Sequence, residues 1–299
     1  MSGQIIYRLF ASTLIFAFVA ACDARPKSQI DGAGFLDELL EDGPNVGGVS
    51  DALLSTAIQA EEAKNYGRAL QYYQQLVDKY PDNMQYRLKL ADNFRRLGKN
   101  DEAIQIYNGV LRRQPNNIIA LEGRGLAHIS KGDFSSASQN LEQVMAMDPN
   151  RWRTLNGVGL LFVAKNMPNE AVAYFDSALQ RVPDHPTVLN NVGLTLALNG
   201  DFDRSVAALN RASGQVKSKS EQRRKIDLNL ALVLGLSGDM ERAEQVASRH
   251  LSKIALQNNL GFYARLAGDE KLAKAYLNSA LSNSPTFYER AWKNLEQIK

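Results

Sequence analysis

Cysteine is almost absent: Cys22 stands alone among 299 residues, which excludes an internal disulfide framework. With His128, His185 and His250 as the only histidines, a Cys/His zinc site lacks ligands as well, so neither metal nor cofactor is expected. An excess of one charge is also missing. Lys and Arg number 35 against 32 Asp and Glu, a formal +3, too balanced to hold a nucleic acid through its phosphates despite a pI near 8.8. A mean hydropathy of −0.31 with 44% hydrophobic residues supplies a core in water and excludes a polytopic membrane protein. No Gly-rich phosphate loop, His-Glu-x-x-His pair or Gly-x-Ser-x-Gly elbow occurs. No enzyme is expected, and no catalytic residue is assigned.

The one extended apolar run is Leu9 through Ala21. As a helix it reaches about 20 Å, against a hydrocarbon core of about 30 Å. Placed behind Arg8 and ahead of small residues, it has the layout of an export signal over residues 1–21. The stretch Val19-Ala20-Ala21-Cys22 resembles the bacterial lipobox. That resemblance implies cleavage before Cys22, diacylation of its thiol and a durable anchor, since two or more acyl chains hold a protein on a membrane. The plainer alternative is a cysteine beside an ordinary cleavage site or in an uncleaved start. Asp23, directly after the cysteine, is by the same resemblance associated with retention at the inner membrane. Residues 22–49, polar and holding Pro26, Pro44 and five glycines, read as the lipidated end and a tether of roughly 30 Å reach. Within it, Phe35-Leu36-Asp37-Glu38-Leu39-Leu40 is an amphipathic patch, read as plain linker or as a docking segment.

Beyond the tether the sequence repeats. Pro81, Pro115, Pro149 and Pro183 are 34 residues apart, as are Ala69, Ala103, Ala137 and Ala171. Units begin near Ser50, Met84, Ile118, Trp152, Pro186, Arg224 and Ile254, seven in all. The eighth place of each is small: Ala57, Ala91, Gly125, Gly159, Gly193, Ala231 and Gly261. Apolar residues return at three- and four-residue spacing on both sides of a turn marked by Gly98, Gly132, Asn166, Gly200, Gly238 and Gly268. Each unit is therefore expected to be a helical hairpin. Tyr73, Tyr107, Leu141, Phe175, Leu209 and Leu277 are expected in the core.

These residues resemble the tetratricopeptide repeat family, over residues 50–287. The resemblance implies an all-α solenoid of about seven hairpins, closed by a capping helix over 288–299 with Trp292 and Leu295 apolar among charges. Two departures stand out. A basic segment, Lys217, Lys219, Arg223, Arg224 and Lys225, lies where the fifth unit should end in proline. The interval from the sixth unit to the seventh is 30 residues, which predicts a shortened helix.

Candidate binding residues follow from the same register. Asn156, Asn190, Asn191, Asn229, Asn258 and Asn259 stand two or three places before the small eighth residue. In the family these places line the concave groove, and an amide offers a donor and an acceptor to an extended peptide. Two readings stay open: a peptide-binding ladder, or amides that satisfy neighbouring helix ends. Lys89, Arg95, Arg96 and Arg153 are groove-side cations, suited to an acidic partner or forming a solvated basic face. His128 and His250 are expected in packed positions and His185 in a loop, while Glu61, Glu62, Asp101 and Glu102 are read as solvated helix-surface charges.

The stretch from Asn229 to Asp239, with His250-Leu251-Ser252 and Asn258 through Ala264, resembles the TadD lipoproteins of the tight-adherence (Flp) pilus system. That likeness implies an envelope-anchored adaptor facing the periplasm, with the outer membrane favoured. Its partner would be an extended segment of the pilus or secretion machinery, such as the secretin. The alternatives are a general envelope-biogenesis lipoprotein and, if the amino terminus is not processed, a cytosolic co-chaperone. Radioactive fatty acid is expected to label the wild-type chain in cells and not Cys22→Ser; equal labelling of both would remove the anchor.

Overall fold

The computed structural model describes residues 49–298. The export signal, Cys22, Asp23, the Phe35–Leu40 patch and the tether up to residue 48 lie outside them. The described residues hold fifteen helices and no strand. They fall into two compact units, divided between Pro183 and Asp184.

The first unit contains α1 (Val49–Glu62), α2 (Tyr66–Lys79), α3 (Met84–Arg96), α4 (Asn100–Arg113), α5 (Ile118–Lys131), α6 (Phe134–Met147), α7 (Trp152–Ala164) and α8 (Pro168–Arg181). The second contains α9 (Pro186–Leu198), α10 (Phe202–Gly214), α11 (Glu221–Leu236), α12 (Met240–Ala247), α13 (Lys253–Ala267), α14 (Glu270–Ser282) and α15 (Glu289–Glu296). Seven hairpins and a closing helix are thus present, as the repeat predicts. Along each unit the odd-numbered helices are the first of their hairpins. In the first unit α3, α5 and α7 touch in sequence; in the second α9, α11, α13 and α15 do so. The second helices make no comparable contact with one another, so the first-helix face is the more tightly packed one in each unit.

Local chemistry explains the breaks. Asn83, Asn117, Asp133, Asp201, Ser220, Asp239, Ser252 and Asp269 each accept a backbone N–H at the start of a helix. Pro168 and Pro186 open α8 and α9, where the missing N–H has no intrahelical partner to lose. All six turn residues named from the sequence have positive φ, Asn166 at 64° among them. A seventh, Lys64 at φ 58°, makes the same turn in the first hairpin without glycine or asparagine.

Within a hairpin the small eighth residue lets the first helix press against the large side chain of the second. A Cβ at Gly193 would lie 2.6 Å from Leu209 Cγ and 3.2 Å from the Ser205 carbonyl oxygen; at Gly159 it would meet the Phe175 ring at 2.5 Å. Tyr73, Tyr107, Leu141, Phe175, Leu209 and Leu277 are all at most 1% exposed. Leu141 also reaches the next hairpin, 3.3 Å from a Cβ built at Gly157, so these side chains join units as well as helices.

A second periodic contact runs along the loops. The residue after each repeat proline meets the second helix of the following hairpin. Asp82 takes Arg113 at 2.7 Å, Asn116 takes the Gln143 amide at 3.4 Å, Asn150 takes Arg181, and Asp184 takes Arg211 at 2.8 Å.

The departures compensate each other. From Gly193 to Ala231 there are 38 residues and from Ala231 to Gly261 there are 30, so two steps still sum to two repeats. The four extra residues enter before α11, which begins at Glu221, three residues ahead of the register position at Arg224. The missing turn comes from α12, which has 8 residues where every other second helix has 13 or 14.

Two stability changes are expected. Gly193→Ala forces its methyl against Leu209 and a backbone carbonyl, and a urea titration followed by circular dichroism should show a loss of about 1–3 kcal/mol. Lys64→Gly relieves a left-handed side chain and should stabilise by roughly 1 kcal/mol; an unchanged midpoint would show that Lys64 bears no strain.

Candidate protein-interaction face

The first helices carry side chains that an apolar stripe would not include, and most of these are tied to the next first helix. Glu61 on α1 accepts Lys89 Nζ at 2.9 Å and Asn93 Nδ2 at 2.8 Å from α3, and the Tyr73 hydroxyl at 3.1 Å from α2. Glu61 is therefore an inter-hairpin joint, which corrects its placement on a solvated surface; Asp101 is exposed and paired with Lys131. Glu122 on α5 is 7% exposed and holds the Arg151 guanidinium in two bonds, at 2.8 and 3.0 Å, together with the Thr154 hydroxyl at 2.5 Å. Two parallel N–H···O bonds fix both distance and angle.

The cationic candidates are similarly engaged. Besides Lys89, Arg95 Nη2 and Arg96 Nε each lie 2.7 Å from an oxygen of Asp92, one turn earlier on α3. Burial pushes the Asp92 carboxyl up, but Arg96 and Arg95 outweigh it and hold it well below the usual range. Arg96 also stacks over Tyr66 at 5.1 Å. Arg153 is exposed and lies over the Trp152 ring at 4.9 Å. The charges of Lys89, Arg95 and Arg96 are thus met by carboxylates of the same chain, and these side chains do not form a solvated basic face.

The asparagines divide by burial. Asn156 on α7, Asn190 and Asn191 on α9, and Asn258 on α13 are at most 5% exposed; Asn229 and Asn259 are half-buried. Asn229 on α11 donates through Nδ2 to Asn190 Oδ1 at 2.9 Å, and Asn294 on α15 donates to Asn258 Oδ1 at 3.0 Å. Asn259 Oδ1 accepts the Asn258 amide at 3.3 Å. Asn190 Nδ2 is buried without an acceptor among the described residues. Asn190 with Asn229 thus joins two successive first helices and Asn258 with Asn294 joins α13 to the closing helix, while Asn229 and Asn259 are the two of the six that also reach solvent.

Asp227 on α11 is the hub of the second unit. Its carboxylate, 5% exposed, accepts Arg223 Nε at 3.0 and 3.1 Å, His250 Nε2 at 2.8 Å and the Ser213 hydroxyl. Arg223 also donates to the Ser213 carbonyl at 2.8 Å. The cluster gathers the end of α10, the start of α11 and the segment after α12, where the register departs. His250 is thus packed as expected, part-buried with its side chain 13% exposed, and hydrogen-bonded as well. His128 is likewise half-buried, with Nδ1 3.0 Å from Asp133; burial keeps its pKa below the usual value despite that neighbour. His185 stands at the residue before α9, in extended backbone and with no side-chain hydrogen bond to the helix start. Nothing in the spacing pointed to Glu122 or Asp227; the only signal was a carboxylate inside an apolar run, as in Leu121-Glu122-Gly123 and Ile226-Asp227-Leu228. No group of acidic, Cys and His side chains fit for a metal occurs among the described residues.

Paired helices with this register are matched by a family model for the tetratricopeptide repeat at residues 54–118, 122–186 and 159–220, more than half of the chain. The chain belongs to the tetratricopeptide repeat family. Solved structures of such repeat proteins resemble it in fold. PilW, titled a widely conserved type IV pilus biogenesis factor, is 20% identical with a TM-score of 0.58, over 73% of this chain and 98% of its own. The Pseudomonas aeruginosa pilF structure is 14% identical with a TM-score of 0.53, over 72% and 97%. A thermophilic repeat protein of Thermus thermophilus is 18% identical with a TM-score of 0.56, over 61% and 99%. No curated protein matches the sequence. Tetratricopeptide repeats are protein-interaction scaffolds, and protein–protein interaction is the role this membership gives the chain.

Asp227 makes the second unit sensitive to acid. Burial raises its pKa, but the Ser213, His250 and Arg223 contacts together hold it below the ordinary value. Its contribution is complete above the unfolded pKa of about 3.9 and is lost as pH falls through the lower folded value. Asp227→Asn is expected to cost about 3 kcal/mol at pH 7 and to flatten the fall in melting temperature below about pH 4. An unchanged acid limb would show that Asp227 carries no linkage.

Proposed function

We propose that the protein is an adaptor of the bacterial cell envelope, lipid-anchored through Cys22, that presents its first-helix face to an extended segment of a pilus or secretion component. The observation that carries the binding part is the family's paired-helix array with half-exposed amides, Asn229 and Asn259, on successive first helices. A backbone segment laid across α11 and α13 would find an acceptor and a donor at each amide. The acidic-partner reading is weaker, because Lys89, Arg95 and Arg96 already face Glu61 and Asp92.

The pilus assignment draws support from two sides. PilW and pilF, both named for pili, have this fold, and the segment from Asn229 to Ala264 resembles the TadD lipoproteins. Tight-adherence pilus assembly, with placement of the secretin or another secretion component, is the specific form of the proposal. An array held by acyl chains raises the local concentration of whatever it binds at the membrane, which suits assembly more than turnover.

Affinity capture from membranes tests this reading. The wild-type chain is expected to retain a pilus or secretion component, and the double variant Asn229→Ala with Asn259→Ala should recover at least roughly tenfold less. Unchanged melting of the variant controls for folding. Full recovery of the partner would make both amides purely structural, and capture of unrelated envelope proteins alone would remove the pilus assignment.

A further inference from the structure

The amphipathic stretch before α1 and the open side of α1 hold complementary places in the repeat register. From Phe35 to Asn45 the chain reads Phe-Leu-Asp-Glu-Leu-Leu-Glu-Asp-Gly-Pro-Asn. The close of α2 and its loop, from Tyr72 to Asp82, has apolar residues at the same places, Tyr72, Tyr73, Leu76 and Val77, and then Pro81 and Asp82. The stretch from Ile106 to Asn116 has the same pattern, and so has that from Tyr174 to Asp184. Gly32 also stands where Ala69 and Ala103 supply the small residue of the second helix, 12 places before the proline. Two apolar pairs one turn apart, then proline at a fixed distance, are what a second helix needs in order to reach the next hairpin and stop.

The open side of α1 has a place for such a helix. Within the first unit each later first helix is covered by the second helix of the hairpin before it. Val110 and Leu111 of α4 lie in one cluster with Ala120 and Leu121 of α5, and the Tyr107 ring would lie 2.3 Å from a Cβ at Gly123. Places 3 and 4 of the unit are buried in consequence, Ala120 and Leu121 at 0% and 1%, Thr154 and Leu155 at 0% and 6%; in α3 the larger Tyr86 and Arg87 fill them and are half-buried. In α1 the same places hold Ala52, exposed, and Leu53, half-buried, and the exposed Ser55 stands in the place of Gly123. Among the described residues no helix precedes α1. The loop contacts agree. Residues after a repeat proline meet Arg113 and Arg181 at place 30 of the next hairpin, or Gln143 and Arg211 at place 26. In the first hairpin those places hold Lys79 and Gln75, each a donor that an Asn45 amide oxygen could accept.

We propose that residues 35–45 are the second helix and loop of an incomplete leading repeat, with Leu36 over Ser55 and with Leu39 and Leu40 over Ala52 and Leu53. The occupant is this chain's own segment rather than a second copy because the connection is short. Pro44 stands 13 residues before Ala57 where Pro81 stands 10 before Ala91, an excess of three, and the array absorbs four extra residues before α11. A helix tethered so closely meets α1 at an effective concentration that a free copy does not match. Burial of its leucines against α1 closes an end that a repeat array otherwise leaves wet. The tether then shrinks to residues 23–34, with a reach of roughly 20 Å. The inference goes beyond the adaptor reading and needs neither the acyl anchor nor the partner.

Hydrogen exchange of the full chain, resolved by peptide, tests it. Amides of residues 36–42 should exchange at least roughly a hundredfold more slowly than those of residues 24–33. In the L36D/L39D variant that protection should vanish while α3–α8 keep theirs, and the E38K/E41K variant, altered on the opposite face of the helix, should retain it. In a Cys22→Ser background the pair L39C/L53C should close a disulfide within one chain under mild oxidation, and E38C/L53C should not. Should L36D/L39D lose protection throughout the first unit, the cysteine pairs decide alone. Exchange of residues 36–42 as fast as that of residues 24–33, or equal cross-linking of both cysteine pairs, overturns the leading half-repeat. Protection and cross-links that form between chains and rise with protein concentration also overturn it, and assign the α1 face to a second copy. None of these results bears on lipidation at Cys22.

Discussion

The close approach of two helices at one small residue is the constraint on which the rest of the structure depends. Where Gly159 or Gly193 stands, a side chain on the first helix would enter the space of Phe175 or Leu209. The small and large residues face each other in six of the seven hairpins, so these can close alike and offer the next hairpin a similar surface; the sixth, with Ala231, Ala247 and the short α12, departs. The loop contacts that follow, from Asp82 to Arg113 and from Asp184 to Arg211, can recur only because the hairpins are alike. Exposed pairs of this kind contribute little energy singly; their regular placement is a result of the core rather than its cause.

The polar side chains of the first helices act on a different property. Glu61, Glu122 and Asp227 sit where apolar residues would pack as well, and each reaches into an adjacent helix or loop. A buried carboxylate left without its partners is heavily penalised. Such joints therefore favour one alignment of neighbouring hairpins over others that would bury a similar apolar area. They also engage Lys89, Arg151, Arg223 and His250, while Arg153, Asn229 and Asn259 still reach solvent.

Periodicity made the fold legible in the sequence. Positions 8 and 20, the turn glycines and Asn166 follow from 34-residue spacing because each is dictated by its own hairpin. The first-hairpin turn escaped because Lys64 occupies a backbone region that its side chain does not favour, so composition gave no sign of it. The start of α11 escaped because Ser220, a capping residue three positions early, overrides the register. At the interaction face the Asp92 pairs with Arg95 and Arg96 obey the three- and four-residue helix spacing and were open to reading. Glu61 with Lys89, 28 residues apart, and Asp227 with His250, 23 apart, become neighbours only once hairpins stack, and no local pattern announces them.

The contacts after each repeat proline carry one further implication, a mechanical one. Between residues 49 and 183 the hairpins are joined by two kinds of bond in parallel: an oily interior that salt hardly affects, and polar rim contacts, of which the ion pair of Asp82 with Arg113 is screened by mobile ions. A stack built this way behaves as a spring whose stiffness has a fixed part and an adjustable part. Flexing should be resisted more in dilute surroundings than in concentrated ones, so the ease with which this half of the protein yields to a load is set partly by the ions around it.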